Sequence, residues 1–163
     1  MSEAKPSNGL TLFVTGVNGH IGNHIVRDLL EQGYAVKGSV RDLSDPKKVD
    51  HVRKHALDLG VPERLELVEG DVLDADVWAG HLKGCNGLFH TATVYATSGD
   101  AATIIDTANL GTQHLFYAAK ACGIQRLVYT SSIAAVGSTP KGRAKTENDW
   151  QADRSSPYVI AKT

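Results

Sequence analysis

Tyr158 and Lys162 stand four positions apart near the end of a 163-residue chain. On a helix that spacing puts both side chains on one face. A phenol titrates at about 10, so it exchanges protons at neutral pH only where a cation stabilises its phenolate. A lysine one turn away supplies that cation. Ser131 and Ser132 close the apolar run Arg126–Ser131, which reads as a strand, and a hydroxyl at a strand's carboxyl end can donate to a substrate carbonyl oxygen. Serine, tyrosine and lysine together make a proton-donating site fit to face a hydride donor, so acid catalysis joins cofactor chemistry. Alone, Tyr and Lys at this spacing would be ordinary surface residues.

A second motif gives them weight. Thr15-Gly16-Val17-Asn18-Gly19-His20-Ile21-Gly22 joins an apolar run, Leu10–Thr15, to a segment of helical periodicity from His20 to Glu31. Gly16 permits a tight turn, Gly19 lets backbone amides approach a pyrophosphate, and Gly22 allows close helix–strand packing. Amides at the helix start, aligned with its dipole, then favour an anion. About 20 residues on, where an acid would bind the ribose of NAD, the chain has Arg41 followed by Asp42. A guanidinium suits a 2′-phosphate through bidentate, charge-assisted bonds, with Lys47 and Lys48 adding positive charge. NADP(H) is therefore the expected cofactor; the alternative is NAD, with Arg41 paired to an acid and Asp42 turned to the ribose. Asp71-Val72, after the third strand, is placed to clamp an adenine, although an Asp at a strand end is usually a turn residue.

These residues need a sheet to hold them. Strand-like runs at Leu10–Thr15, Ala35–Val40, Arg64–Glu69, Gly87–Ala92 and Arg126–Ser131 alternate with helix-like segments at His20–Glu31, Asp45–Leu59, Ala75–Leu82 and Ala102–Ala121. That alternation predicts an α/β fold, a Rossmann-type doubly wound parallel sheet with five strands. Residues 1–9 are polar and read as a disordered tail, residues 138–153 as a loop, and Ser155-Ser156-Pro157 as a helix start capped by serine. Trp78 and Phe116 are expected in the core. With 17 Lys+Arg against 18 Asp+Glu the net charge is −1, which argues against a nucleic-acid surface. No apolar run approaches the roughly 20 residues of a membrane span, and no signal core precedes Gly9, so a cytoplasmic location is expected. Cys85 and Cys122 make no disulfide framework. His20/His24 and His51/His55 share i, i+4 spacing but lack further ligands, so no metal is expected.

Taken together, the residues from Leu10 to Lys162 resemble the extended short-chain dehydrogenase/reductases, of NAD(P)-dependent epimerase/dehydratase type. The resemblance rests on the loop Thr15–Gly22, Asp71-Val72, His90-Thr91-Ala92-Thr93, Thr130-Ser131-Ser132 and Tyr158xxxLys162. Gly38-Ser39-Val40-Arg41-Asp42 and Asp45-Pro46-Lys47-Lys48-Val49 look most like its dihydroflavonol-reductase and cinnamoyl-CoA-reductase branch, as does Thr146-Glu147-Asn148-Asp149-Trp150. The resemblance implies Ser132, Tyr158 and Lys162 as catalytic residues, with Tyr158 the acid and Lys162 on the nicotinamide ribose. It implies cofactor contacts from Thr15, Gly16, Asn18, Gly19, His20, Ile21, Gly22, Arg41, Lys48, Asp71, Val72, Thr91, Ala92 and Thr93. Asn109 matches a position near the active site. His20 departs from the family's common phenylalanine, leaving a polar ring that either bonds a phosphate or faces solvent.

The resulting expectation is an NADP(H)-dependent oxidoreductase acting on a small-molecule carbonyl or secondary alcohol, with no nucleic-acid or membrane partner. A nucleotide-sugar epimerase or dehydratase that retains NAD is the alternative, and a non-catalytic NADP sensor or scaffold the third reading. The family often pairs helices around its YxxxK segment, so a homodimer is the oligomer to expect. Residues 10–163 read as the dinucleotide-binding part of a longer enzyme, inactive alone, whose remaining strands and substrate region would follow Lys162.

Overall fold

Along β1 (Thr11–Thr15) side chains alternate between faces, so Phe13 enters one core and Val14 another, both fully buried. A strand apolar on both faces requires cover on both. In the computed structural model, which describes residues 4–93, 100–139 and 142–163, β1 lies at the centre of a five-stranded sheet. Its partners are β2 (Ala35–Val40), β3 (Leu65–Glu69), β4 (Gly87–His90) and β5 (Arg126–Tyr129). The order is β3-β2-β1-β4-β5 and every pairing is parallel, the doubly wound arrangement expected. The order reverses between β1 and β4, and in open sheets of this kind ligands bind at the strands' carboxyl ends beside such a reversal.

Helices α1 (His20–Glu31) and α2 (Pro46–Asp58) cover one face, where Val14, Val26, Leu30, Val36, Val49 and Val52 share a core. Helices α3 (Ala75–Leu82) and α4 (Ala101–Ala121) cover the other, around Phe13, Trp78, Leu82, Leu88 and Leu115. Side-chain oxygens of Asp45, Asp74 and Asp100 cap α2, α3 and α4 by accepting first-turn amides. Helix α5 (Pro157–Lys162) starts at Pro157 as expected, but Ser156 occupies the cap position without making the side-chain bond.

Three further expectations change. Residues 1–3 of the expected tail, and positions 140 and 141 of the 138–153 loop, lie outside the described residues. Residues 4–9 of that tail form no element, yet they are bonded down: Lys5 N donates to Glu31 O (2.9 Å) and Asn8 N to Gly33 O (3.0 Å). Gly33, at φ +90°, makes this closure because a Cβ there would run into the Pro6 carbonyl. Strands β4 and β5 each stop two residues early, since the Thr91 and Ala92 amides turn to a side chain instead of a neighbouring strand. Phe116 is 42% exposed on α4, whereas Trp78 is fully buried.

Helix α4 presses on the segment after β3 at Gly111, where a Cβ would lie 2.8 Å from Val72 Cβ. A branched side chain against a helix has little room to yield. Gly111→Ala is therefore expected to lower stability by about 1–2 kcal/mol in urea unfolding, even though alanine is the better helix former. An unchanged midpoint would mean that Val72 moves aside freely.

Candidate active site

The candidate phosphate loop is built on three glycines doing different work. Gly16 has φ +66°, and a Cβ on it would stand 3.1 Å from the Ala92 backbone, so the turn leans on the chain leaving β4. Gly19 is the extended cap residue of α1. A Cβ on Gly22 would meet the Gly16 carbonyl and Val17 Cα, so its bareness seats α1 on the loop's backbone rather than on the strand itself. Val17 N donates to Ser39 O (3.1 Å), tying the loop to β2. Among the described residues the amides of His20, Ile21 and Gly22 have no backbone acceptor, and all of Asn18–Ile21 is exposed. An unfilled helix start of this kind can receive a pyrophosphate. The His20 ring is exposed and meets His24 edge-on at 5.3 Å.

Thr15 is fully buried, and its hydroxyl faces inward, away from a ligand at the loop. Its Oγ1 accepts from Thr91 N and Ala92 N, each at 3.0 Å, and lies 3.0 Å from His90 Nδ1. Both lone pairs are thereby used, so the hydroxyl proton goes to Nδ1. The imidazole is then neutral and its Nε2–H donates to Thr112 Oγ1 at 3.3 Å. Burial, reinforced by the nearby Lys162 charge, pushes His90 down to about 4, in keeping with that tautomer. Thr91 Oγ1 donates to Thr15 O, whereas Thr93 is exposed.

At the end of β2 the two cofactor alternatives separate. Asp42 accepts from the Ser44 amide and hydroxyl and pairs with Lys48 at 3.2 Å, contacts that hold its carboxyl below the usual range, the Ser44 hydroxyl first among them. Arg41 is exposed and forms no ion pair among the described residues. Lys48 lies between Asp42 and Asp45, so its charge is already shared. Asp71 Oδ1 is used in a turn to Leu73 N, and the Val72 side chain faces Gly111 of α4. Asn109 is exposed on α4.

The catalytic candidates converge. Ser132 follows β5 and starts a short 3-10 turn, Ile133–Ala135, where its Oγ accepts from Ala134 N (3.1 Å). Tyr158 Oη donates to the same Oγ at 3.5 Å, which leaves the serine hydrogen to donate outward. Lys162 Nζ lies 5.9 Å from the Tyr158 ring centre. Its residue is only 7% exposed, and burial lowers its pKa from the ordinary lysine value. Ser131, the other serine of the pair, is exposed and has no such contact among the described residues. The sequence marks His90 only as part of the stretch His90-Thr91-Ala92-Thr93, with no role for its ring, and gives no signal for Tyr129. Only the register that sets His90 beside Tyr129 reveals them.

The model of the NAD dependent epimerase/dehydratase family matches residues 12–163. The chain belongs to that family. Among curated relatives, a cinnamoyl-CoA reductase of Medicago truncatula is 40% identical over 167 residues, covering 95% of this chain and 50% of that protein. A putative dihydroflavonol 4-reductase of Synechocystis is 36% identical over 137 residues, covering 83% and 36% respectively. These are the branches the Arg41 and Lys48 segments resemble. Yeast methylglyoxal/isovaleraldehyde reductase Gre2, solved with NADPH, superposes with a TM-score of 0.76 at 26% identity, over 94% of this chain and 49% of that one. The family member described here thus spans half or less of the length of these relatives. Among its described residues no helix is long and apolar enough to cross a membrane, and no group of three or more His, Cys, Asp or Glu could hold a metal ion.

The buried imidazole makes stability pH-dependent. The unfolded chain binds a proton at about 6.5, the native one only at about 4. Stability is therefore complete above that window and falls as pH drops through it, by about 3 kcal/mol in all. His90→Asn is expected to give a shallower dependence of the urea midpoint on pH across the window. Equal slopes for the two proteins would assign the effect to other groups, first among them His55, which burial also holds below the ordinary histidine value.

Proposed function

We propose that this chain is the cofactor-binding part of an NADP(H)-dependent oxidoreductase that interconverts a carbonyl and a secondary alcohol. The observation that carries it is the Tyr158–Ser132 contact at 3.5 Å with the Lys162 ammonium against the Tyr158 ring, beside an exposed, amide-rich phosphate loop. A longer, looser contact is usual where no substrate is bound. The Gly16–Gly22 cradle, whose first-turn amides have no backbone acceptor among the described residues, fits a pyrophosphate, and Arg41, with no ion pair among those residues and beside a committed Asp42, fits a 2′-phosphate.

A bound nicotinamide would supply the hydride chemistry. The protein's own residues handle the oxygen and the proton. Ser132, whose oxygen accepts from Ala134 N and Tyr158 Oη, donates to the substrate oxygen and fixes its position. Tyr158 gives that oxygen its proton in reduction and takes it in oxidation. The Lys162 charge lowers the cost of the phenolate in between, and does so more strongly for being removed from water. Of the substrate classes in the relatives' names, a dihydroflavonol ketone fits this interconversion directly, whereas a cinnamoyl-CoA-type thioester would accept the hydride with release of its thiol and give an aldehyde.

Two measurements test this reading. In the full-length protein Tyr158→Phe is expected to cut turnover at least a hundredfold while NADPH binding stays intact; undiminished turnover would end the mechanism. In a fluorescence titration Arg41→Ala is expected to weaken NADPH about 10- to 100-fold and leave NADH nearly unchanged. Equal wild-type affinities for the two would remove the case for Arg41 and favour a retained-NAD epimerase.

A further inference from the structure

Lys162 is an unusual cation for its setting. It ends a helix of six residues, too short to hold its own geometry, yet it is 93% removed from solvent and forms no ion pair among the described residues. What it does meet are two ring faces: the Tyr129 centroid at 5.8 Å and the Tyr158 centroid at 5.9 Å. Both are within cation–π range. Tyr129 is itself fixed. Its strand register sets it opposite His90, whose ring is 5.3 Å away at 43°, and Phe116 of α4 meets it edge-on at 6.3 Å. His90 is anchored in turn on Thr15 and Thr112.

Resting on the reaction proposed above, we propose that Tyr129 is a positioning residue whose ring, braced by His90 and Phe116, holds the Lys162 ammonium where Tyr158 needs it. The choice of an aromatic partner has a physical consequence. A carboxylate at this distance would anchor the lysine equally well but would cancel the field that favours the Tyr158 phenolate. A π face offsets part of the desolvation cost and leaves the full charge in place. Among the described residues the ammonium meets the two tyrosine rings, and its charge reaches His90, which burial keeps neutral. The same contacts run unbroken from the phosphate-loop residue Thr15 to Ser132, through His90, Tyr129, Lys162 and Tyr158.

The test compares Tyr129→Leu, which removes the ring, with Tyr129→Phe, which keeps it. In the full-length protein, Leu is expected to lower kcat about tenfold in the alcohol-oxidising direction and to move the acid limb of the rate profile to higher pH. KM for NADP should barely change, and Phe should restore both the rate and the limb. In the present chain, the Lys162 13Cε resonance is expected to titrate at lower pH in the Leu variant and at the wild-type pH in the Phe variant. Should Leu fail to fold, Tyr129→Met takes its place. A wild-type rate and titration without the ring, or a Phe variant as impaired as Leu, would overturn the proposal. If Tyr158→Phe retained turnover, the proposed reaction would fall by itself, and the lysine titration would still decide whether Tyr129 holds the ammonium.

Discussion

Everything at the carboxyl edge of the sheet depends on one saturated hydroxyl. Thr15 closes β1 where the strand order reverses, and its oxygen takes the two amides that would otherwise extend β4. Strand pairing consequently ends there, and just beyond the last paired residues Gly16 turns against the Ala92 backbone. With its lone pairs filled, Thr15 must donate, and among the described residues the acceptor it meets is His90 Nδ1. A buried oxygen with three partners leaves the edge almost no freedom to shift, because any movement strands a buried polar group.

Charge is arranged around that edge by what each group is denied. Asp42 is drawn off by Ser44 and Lys48, so the guanidinium of Arg41 keeps its capacity for an outside anion. Lys162 is largely removed from water and has no carboxylate partner among the described residues; its ammonium lies against the Tyr129 and Tyr158 rings. On the outer faces of α1 and α2 the opposite holds. Arg27 pairs with Glu31 and Lys54 with Asp58 in exposed i, i+4 bridges, each worth little to stability. The two cores, rich in valine on the α1 side and in larger side chains on the α3 side, carry the burden of holding the sheet.

Much of this was legible in the residues. The α1 and α3 boundaries and the β2 boundaries follow from periodicity and glycine stops, because local sterics and helix ends are settled within a few residues. Glycine spacing in a strand–turn–helix setting pointed to the phosphate loop for the same reason. Less legible were the early ends of β4 and β5, the bonded stretch at residues 4–9 and the exposure of Phe116. The first two depend on a partner far along the chain, Thr15 for the Thr91 amide and Glu31 for Lys5, and the third on what packs over that turn of α4. No local pattern encodes such a partner.

The sequence by itself therefore determined the fold class, the glycine loop, and which side chains are candidates for catalysis, since these rest on short-range spacing and on the chemistry of individual groups. Tertiary structure alone decided which groups lost their freedom. Thr15 proved an anchor facing inward, Ser132 the serine within reach of Tyr158, and Asp42 a carboxylate already engaged. It also decided that Lys162 rests on aromatic rings. Hydrogen-bond saturation and desolvation belong to the assembled neighbourhood of a side chain, and that neighbourhood exists only once strands distant in sequence are paired.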